Sequence, residues 1–309
     1  RDRNSIQESI AQIYIQILYA AESVKVNENT LQVSIAQRDR GQELLNAGSI
    51  AKSDLAQLEA QVSTDRYQLV TAQATLQDYK LQLKQLLELD GENEMNVYLP
   101  ALSDENVLLP LPTKKDVYMS ALTLRPEIEA SKLSVEASEL GIDIAKAGYL
   151  PTISLSAGIG TNHTSGSDFT FGEQVKNGWN NSIGVSVSVP IFNNRQTKSA
   201  VQKAKLQRET SLLSLLDEQK TLYKTIEGLW LDANSAQQRY AAANEKLKST
   251  QISYDLISEQ FNLGMKNTVE LLTEKNNLLQ AQQEQLQAKY MAILNTQLLK
   301  FYQGDKLAL

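Results

Sequence analysis

The sequence predicts a mainly α fold with a small β part: long antiparallel coiled-coil helical hairpins joined to a single β-hairpin. Three observations predict it. Residues 1–90 and 217–306 align without a gap at a constant offset of 216 positions, so that Ile10 falls on Ile226, Tyr14 on Trp230, Leu31 on Leu247, Asn46 on Asn262, Gly48 on Gly264, Leu55 on Leu271 and Lys84 on Lys300. Apolar residues recur every seven positions within both copies. Between the copies lie two stretches of about ten residues in which aliphatic side chains alternate with Ser, Gly or Thr.

A gapless repeat of this length requires two copies of one geometry. Paired long helices meet that demand, because a single insertion would rotate everything after it. The composition agrees. Aromatic residues make up 6% of the 309, and the mean hydropathy is −0.33. That suits helices with narrow apolar seams better than a thick core. The net charge of −6 comes without a basic run, which argues against nucleic acid and against an anionic membrane surface as partners. Cysteine is absent, excluding disulfides and thiolate metal sites. No run of eighteen apolar residues marks a transmembrane helix.

In chain order, residues 1–90 form the first helical hairpin. Ile10, Ile17, Val24, Leu31 and Leu45 keep step on one arm, with Arg38 breaking the series, and Leu55, Val62, Leu69, Leu76 and Leu83 keep step on the other. Asn46-Ala47-Gly48 punctuates it, so its tip is expected near 46–52. Residues 91–125, with Pro100, Pro110 and Pro112, read as a connector or equatorial region. Helix resumes from about 116, and 126–148 forms one helix. A β-hairpin over 149–192 follows, with a polar loop at 161–181 that contains His163, Asp168, Lys176 and Asn180. Residues 193–303 form the second, longer hairpin, where Ile226, Ala233, Tyr240, Leu247, Tyr254 and Phe261 repeat in sevens. Its tip is expected near 262–268, punctuated by Asn262-Leu263-Gly264, and 304–309 is a tail. From Asn194 to Asn262 the helix would run about 100 Å at 1.5 Å per residue, which predicts a rod or a stave. The chain opens on Arg1-Asp2-Arg3 and is inside a helical pattern by Ile6, so a preceding portion is expected.

In the β segment, Ile153, Leu155, Ala157 and Ile159 alternate with Thr152, Ser154, Ser156 and Gly158; Ile183, Val185, Val187 and Val189 alternate with Ser182, Gly184, Ser186 and Ser188. Tyr149, Phe169, Phe171, Trp179 and Phe192 lie near the strand ends. Apolar on one face, small and polar on the other, with aromatic ends, this is the pattern of a transmembrane barrel strand. A soluble hairpin packed on the helices shows the same alternation. The direct run into a very long helix favours the membrane reading, and since lipid tolerates no open sheet edge, that reading requires an oligomer.

Catalytic chemistry is not indicated. His163 is the sole histidine and lies in the polar loop, so no histidine pair, triad or metal set is available. Gly158-Ile159-Gly160 lacks the following helix that phosphate binding needs. Asn162-His163-Thr164 fits a glycosylation acceptor, a pattern common by chance. No cofactor and no metal are expected, and the protein does not read as an enzyme. The tip charges have two readings. Asn267 followed by Glu270 suits a helix cap with its third-position acid, and Asp54 holds the equivalent place in the first copy. Alternatively these charges, with Lys266, converge where several tips meet and form a ring or latch.

Taken in order, the elements resemble the TolC-like outer-membrane efflux proteins, the exit ducts of tripartite pumps and type I secretion systems. The resemblance covers essentially the whole chain. Its marks are Arg125-Pro126-Glu127, Ala147-Gly148-Tyr149-Leu150-Pro151 entering the first strand, and Val189-Pro190-Ile191-Phe192-Asn193-Asn194-Arg195 leaving the second. Phe261-Asn262-Leu263-Gly264 through Val269-Glu270-Leu271-Leu272 completes the set.

The resemblance implies a homotrimeric tube, with a β-barrel in the outer-membrane lipid and an α-barrel crossing the periplasm of a Gram-negative bacterium. Such a tube passively exports small molecules or proteins, working with a periplasmic adaptor protein and an inner-membrane transporter of RND, ABC or MFS type. By the same implication Lys266 and Asp54 match the latch of the periplasmic gate. Glu270 matches the first position of an acidic constriction ring, and the second falls on Thr273, where the family pattern is broken. Gly48 and Gly264 are the tip turns. The family places a helix and strand pair before each hairpin. Here only the second hairpin has one, so roughly 100 residues, with two more strands, are expected upstream. The competing reading is a non-conducting coiled-coil adaptor or tether with a soluble β-hairpin cap.

Overall fold

The computed structural model describes residues 2–89, 96–100 and 107–306. Its elements are α1 (Asp2–Asn46), α2 (Lys52–Leu86), α3 (Lys114–Leu124), α4 (Pro126–Ala147), β1 (Thr152–Gly160), α5 (Phe171–Asn177), β2 (Asn180–Ser188), α6 (Gln196–Asn262) and α7 (Thr268–Gln303). The fold is mainly α with one small antiparallel sheet. Among the described residues no helix is long and apolar enough to cross a membrane. The chain divides into two compact units, one of residues 1–126 with 220–309 and one of residues 127–219.

The first unit holds both helical hairpins. The offset of 216 holds to the residue at their tips: α1 ends at Asn46 and α6 at Asn262, and α2 starts at Lys52 and α7 at Thr268. Of the sevenfold positions, Ile17, Leu31, Leu55, Val62, Leu83, Ile226, Ala233, Tyr240 and Phe261 are buried, and Ile10, Val24, Leu45, Leu69, Leu76, Leu247 and Tyr254 are partly buried. The two hairpins pack on each other through α1 and α7, where Ile15 and Leu18 meet Leu286, Tyr290, Leu294 and Leu298. Nearer the tips, Leu58 of α2 packs with Phe261 of α6 and Leu271 of α7.

The connector straps both copies through repeat-related aromatics. Tyr14 donates its hydroxyl to the Tyr98 carbonyl at 2.8 Å, and its counterpart Trp230 donates its indole N–H to the Pro112 carbonyl at 3.0 Å. Lys114 stands over the Trp230 ring and pairs with Glu227 at 3.0 Å. The expected connector at 91–125 lies partly outside the described residues, and its last part is helical as α3. Helix resumes at Lys114 as α3, and the stretch 126–148 is occupied by the separate helix α4. Arg125 leaves the helical region (φ −79°, ψ 123°) because the ring of Pro126 excludes that conformation in the residue before it. The Arg125 guanidinium, freed from the helix axis, is buried against Glu8 at 3.1 Å and over the rings of Phe301 and Tyr302.

The second unit contains α4, the strand pair and the first turns of α6. β1 and β2 are antiparallel with Ile153 opposite Val187, Leu155 opposite Val185 and Ala157 opposite Ile183. Ser154 lies opposite Ser186 and Ser156 opposite Gly184, so one face is aliphatic and the other small and polar. The loop expected at 161–181 differs in two respects: it contains the helix α5, and β2 already begins at Asn180. Thr170 and Glu173 close a reciprocal cap on α5, which the Thr-x-x-Glu spacing encodes. The long helix starts at Gln196 rather than Asn194, since Asn194 and Arg195 both take left-handed conformations (φ 48° and 63°). Of the tail 304–309, residues 307–309 lie outside the described residues.

Candidate functional site

The two tips are closed by the same bonds. In the first, the Gly48 N–H donates to the Leu45 carbonyl at 2.9 Å and the Ser49 N–H to Leu44 at 2.8 Å. In the second, Gly264 donates to Phe261 at 2.9 Å and Met265 to Gln260 at 2.8 Å. This double bond back onto the last turn requires a left-handed residue just past the helix. Gly48 (φ 74°) and Gly264 (φ 73°) supply it without a side-chain clash.

The next helix then starts on a cap. At the second tip, the Asn267 side chain accepts from the Glu270 N–H at 2.9 Å, and Glu270 Oε2 accepts from the Asn267 N–H at 3.2 Å. At the first tip Ala51 has no side-chain acceptor; the Asp54 N–H donates to the Ala51 carbonyl at 3.0 Å instead, and the Ala51 N–H donates to Asp54 Oδ2 at 2.9 Å. Capping is therefore one role of both acids.

Of the charged candidates, the structure brings Lys266 and Glu270 together, Nζ to Oε1 at 2.5 Å, four residues apart at the start of α7. That hydrogen bond, followed by the Asn267 N–H, holds the Glu270 carboxyl below its ordinary value. Asp54 is half-buried on its own helix start, and among the described residues no ion pair within the chain joins it to Lys266. Thr273 is exposed on the same face as Glu270, its hydroxyl donating to the Val269 carbonyl at 2.8 Å. His163 lies exposed in the β loop, with Nδ1 3.1 Å from Gln174 Oε1 and its ring edge-on to Phe171.

Three contacts that the sequence reading did not single out tie the hairpins together near these tips. Arg40 of α1 donates to the Asn262 carbonyl at 3.4 Å, satisfying one of the acceptors a helix end leaves open. Gln37 donates to the Tyr254 hydroxyl at 2.8 Å. Deeper, Lys275 of α7 donates to both Asp65 of α2 and Ser34 of α1, and Ser34 donates in turn to Asp65. All three side chains are buried. The signal for this cluster was present: Asp65 falls on the seam that Leu55, Leu58 and Val62 define, three residues after Val62.

In the second unit, Gly148 and Thr197 fasten the two ends of the strand pair. Asn193 donates to the Thr197 hydroxyl, which donates to the Gly148 carbonyl at 3.3 Å. Both faces of both strands are exposed in the single chain, Ile183 at 83% and Leu155 at 75%. An aliphatic face of that kind calls for a cover of lipid or protein.

Matched helical hairpins, joined to a strand pair that is apolar on one face and small-polar on the other, define a class in which helical staves carry membrane-type strands. The chain belongs to the family described as outer membrane efflux protein, which matches residues 117–304. The outer membrane efflux protein BepC of Brucella suis is 25% identical over 295 residues, covering 95% of this chain and 61% of that protein. The outer membrane protein TolC of Escherichia coli is 25% identical over 309 residues, covering 95% of this chain and 60% of that protein. The chain thus spans about 60% of the length of these relatives. Among solved structures, that of CusC superposes with a TM-score of 0.80 at 19% identity, covering 98% of this chain and 69% of that one.

Proposed function

We propose that this chain is the greater part of one subunit of an outer-membrane duct that exports substrates passively across the periplasm and outer membrane of a Gram-negative bacterium. Three subunits would close the tube. The driving force would come from an inner-membrane transporter reached through a periplasmic adaptor protein. Asp54 and Lys266 would form the latch between neighbouring subunits at the periplasmic end. Glu270 would line the constriction there, with Thr273 in place of a second acid.

The observation that carries this reading is the strand pair. Its register gathers every aliphatic side chain on one face and every Ser and Thr on the other, with Asn181 at the end of the aliphatic face. Two strands leave both outer edges unpaired, which lipid does not tolerate. The strands must therefore pair with others. Three copies of this chain supply six strands, short of the eight of the smallest common barrels. The extra length of the relatives leaves room for more.

The latch reading takes support from the tips themselves. Lys266 is half-exposed in the tip turn, so its ammonium can exchange Glu270 for a carboxylate on a neighbouring subunit. The test is to extract the full-length protein in detergent, measure its mass by light scattering, and record planar-bilayer currents. A trimer with discrete conductance steps is expected. A soluble monomer that never conducts would overturn the duct.

A further inference from the structure

We propose that Lys275, Asp65 and Ser34 act as the pin that sets the axial register of the second hairpin on the first, and that they are positioning residues for the gate. The proposal rests on the duct reading for its functional half only.

A buried charge pair is costly. Removing two ions from water costs several kcal/mol each, and a well-packed apolar pair at the same place is often as stable or more so. Lys275 and Asp65 are nonetheless 4% and 1% exposed, on helix faces where Leu55, Leu58, Val62, Leu271 and Leu278 are also buried. Burial pushes the Lys275 ammonium below its ordinary value, and the Asp65 contact opposes that shift. The remaining acceptor is also used: Asp65 Oδ1 accepts from Gln61 Nε2 at 2.9 Å. A fully satisfied network in such a place supplies a unique partner.

The need for one is visible in the chain. The contacts join residues 210 and 241 positions apart, so no short connection fixes how far α7 slides along α1 and α2. Seams that repeat every seven residues stack almost as well after a shift of one heptad. A single buried polar position removes that degeneracy, its best-attested use. Placement adds the functional half. Lys275 stands seven residues into α7 from Thr268 and Ser34 twelve before the end of α1 at Asn46, about 10 and 18 Å of helix at 1.5 Å per residue. Everything beyond the pin, on both hairpins, is tip.

The test uses the full-length protein with spin labels at Ser49 and Met265, labelled subunits being diluted with unlabelled ones so that the distance read is within one subunit. Three variants are compared with wild type: Lys275→Met, Lys275→Met with Asp65→Leu, and the exchange Lys275→Asp with Asp65→Lys. Thermal unfolding is recorded alongside. The apolar double variant is expected to melt at or above the wild-type temperature yet lose the single narrow tip-to-tip distance, with the closed channel becoming leaky in bilayers. The exchanged pair is expected to recover the narrow distance in part. A wild-type distance in the apolar double variant would overturn the proposal, because packing alone would then fix the register. Loss of the narrow distance in a protein that never conducts would retain the pin and remove only its role in a gate. Should Lys275→Met fail to fold, the apolar double variant still decides.

Discussion

The carboxylates of Asp54 and Glu270 stand 216 residues apart in sequence and at the same place in two tips, each accepting from the backbone N–H three residues before it, at 2.9 and 3.2 Å. The bonds differ in their surroundings. Glu270 also holds Lys266 and answers an Asn cap, whereas Asp54 faces an Ala with no side-chain acceptor. The repeat has kept the geometry of the turn and changed the charge it carries.

That difference makes the caps unequal. Asn267→Ala is expected to cost about 1 kcal/mol of stability, and Ala51→Asn to add a similar amount by completing the reciprocal bond. Urea unfolding followed by helical circular dichroism measures both, and equal, unchanged midpoints would contradict the cap assignment.

Acid should loosen the second tip. The Glu270 carboxyl lies below its ordinary value of 4.5, first through Lys266 and then through the Asn267 N–H. A lowered folded-state value contributes stability above the unfolded value, and that contribution is lost as the pH falls through the folded one. Lys266→Met is therefore expected to move the Glu270 titration upward, read from its carboxyl carbon by NMR.

The same lysine bears on conduction. Lys266→Ala in the full-length protein is expected to loosen the closed state and raise single-channel conductance in planar bilayers. Unchanged conductance would rule the latch out and leave Lys266 as a solvent-screened ion pair at the helix start.

Beneath the charges, Leu271 is fully buried against Leu58 and Phe261. Leu271→Ala should cost about 2–5 kcal/mol. Thr268, one turn away and 1% exposed, has a hydroxyl with no hydrogen-bond partner among the described residues. Thr268→Val removes that unpaired group and is expected to be neutral or stabilising. Thermal unfolding of the two variants checks the contrast.

The two faces of the strand pair should respond differently. Leu155→Lys on the aliphatic face is expected to block membrane insertion, at about 2–4 kcal/mol for a basic residue near mid-bilayer. Ser156→Asp on the small polar face should insert normally and shift ion selectivity. Heat-resistant oligomer on gels reports the first and reversal potential the second. An unaltered oligomer with Leu155→Lys, recovered without detergent, would assign the strands to a soluble cap.

Much of the fold was legible because it is local or periodic. Gly48 and Gly264 mark helix stops by backbone chemistry, and the sevens through Ile226 and Phe261 mark a buried seam. Three features were harder. Helical character resumes from about 116 without showing the break at Arg125, which Pro126 withholds from the helical region. α5 is short enough to vanish in a polar loop, although Thr170 and Glu173 bracket its start. Lys275 and Asp65 meet across two hairpins whose relative register no local pattern specifies. Seen singly, each is a charge at a seam position; only the packed structure makes them a pair. At the tips the sequence offered two roles for Glu270, and the cap is directly visible while the ring awaits its neighbours.

The fastening of Gly148 to Thr197 has a separate consequence. The chain enters the strand pair and leaves it at one tied point, so everything from 149 to 196 behaves as a cassette with its ends held at fixed spacing. Residues at its far end, around Thr164–Ser167, can be lengthened, exchanged or decorated without altering the separation of the segments the cassette interrupts. That is where foreign epitopes would be tolerated, and where rapid sequence drift costs the helices nothing.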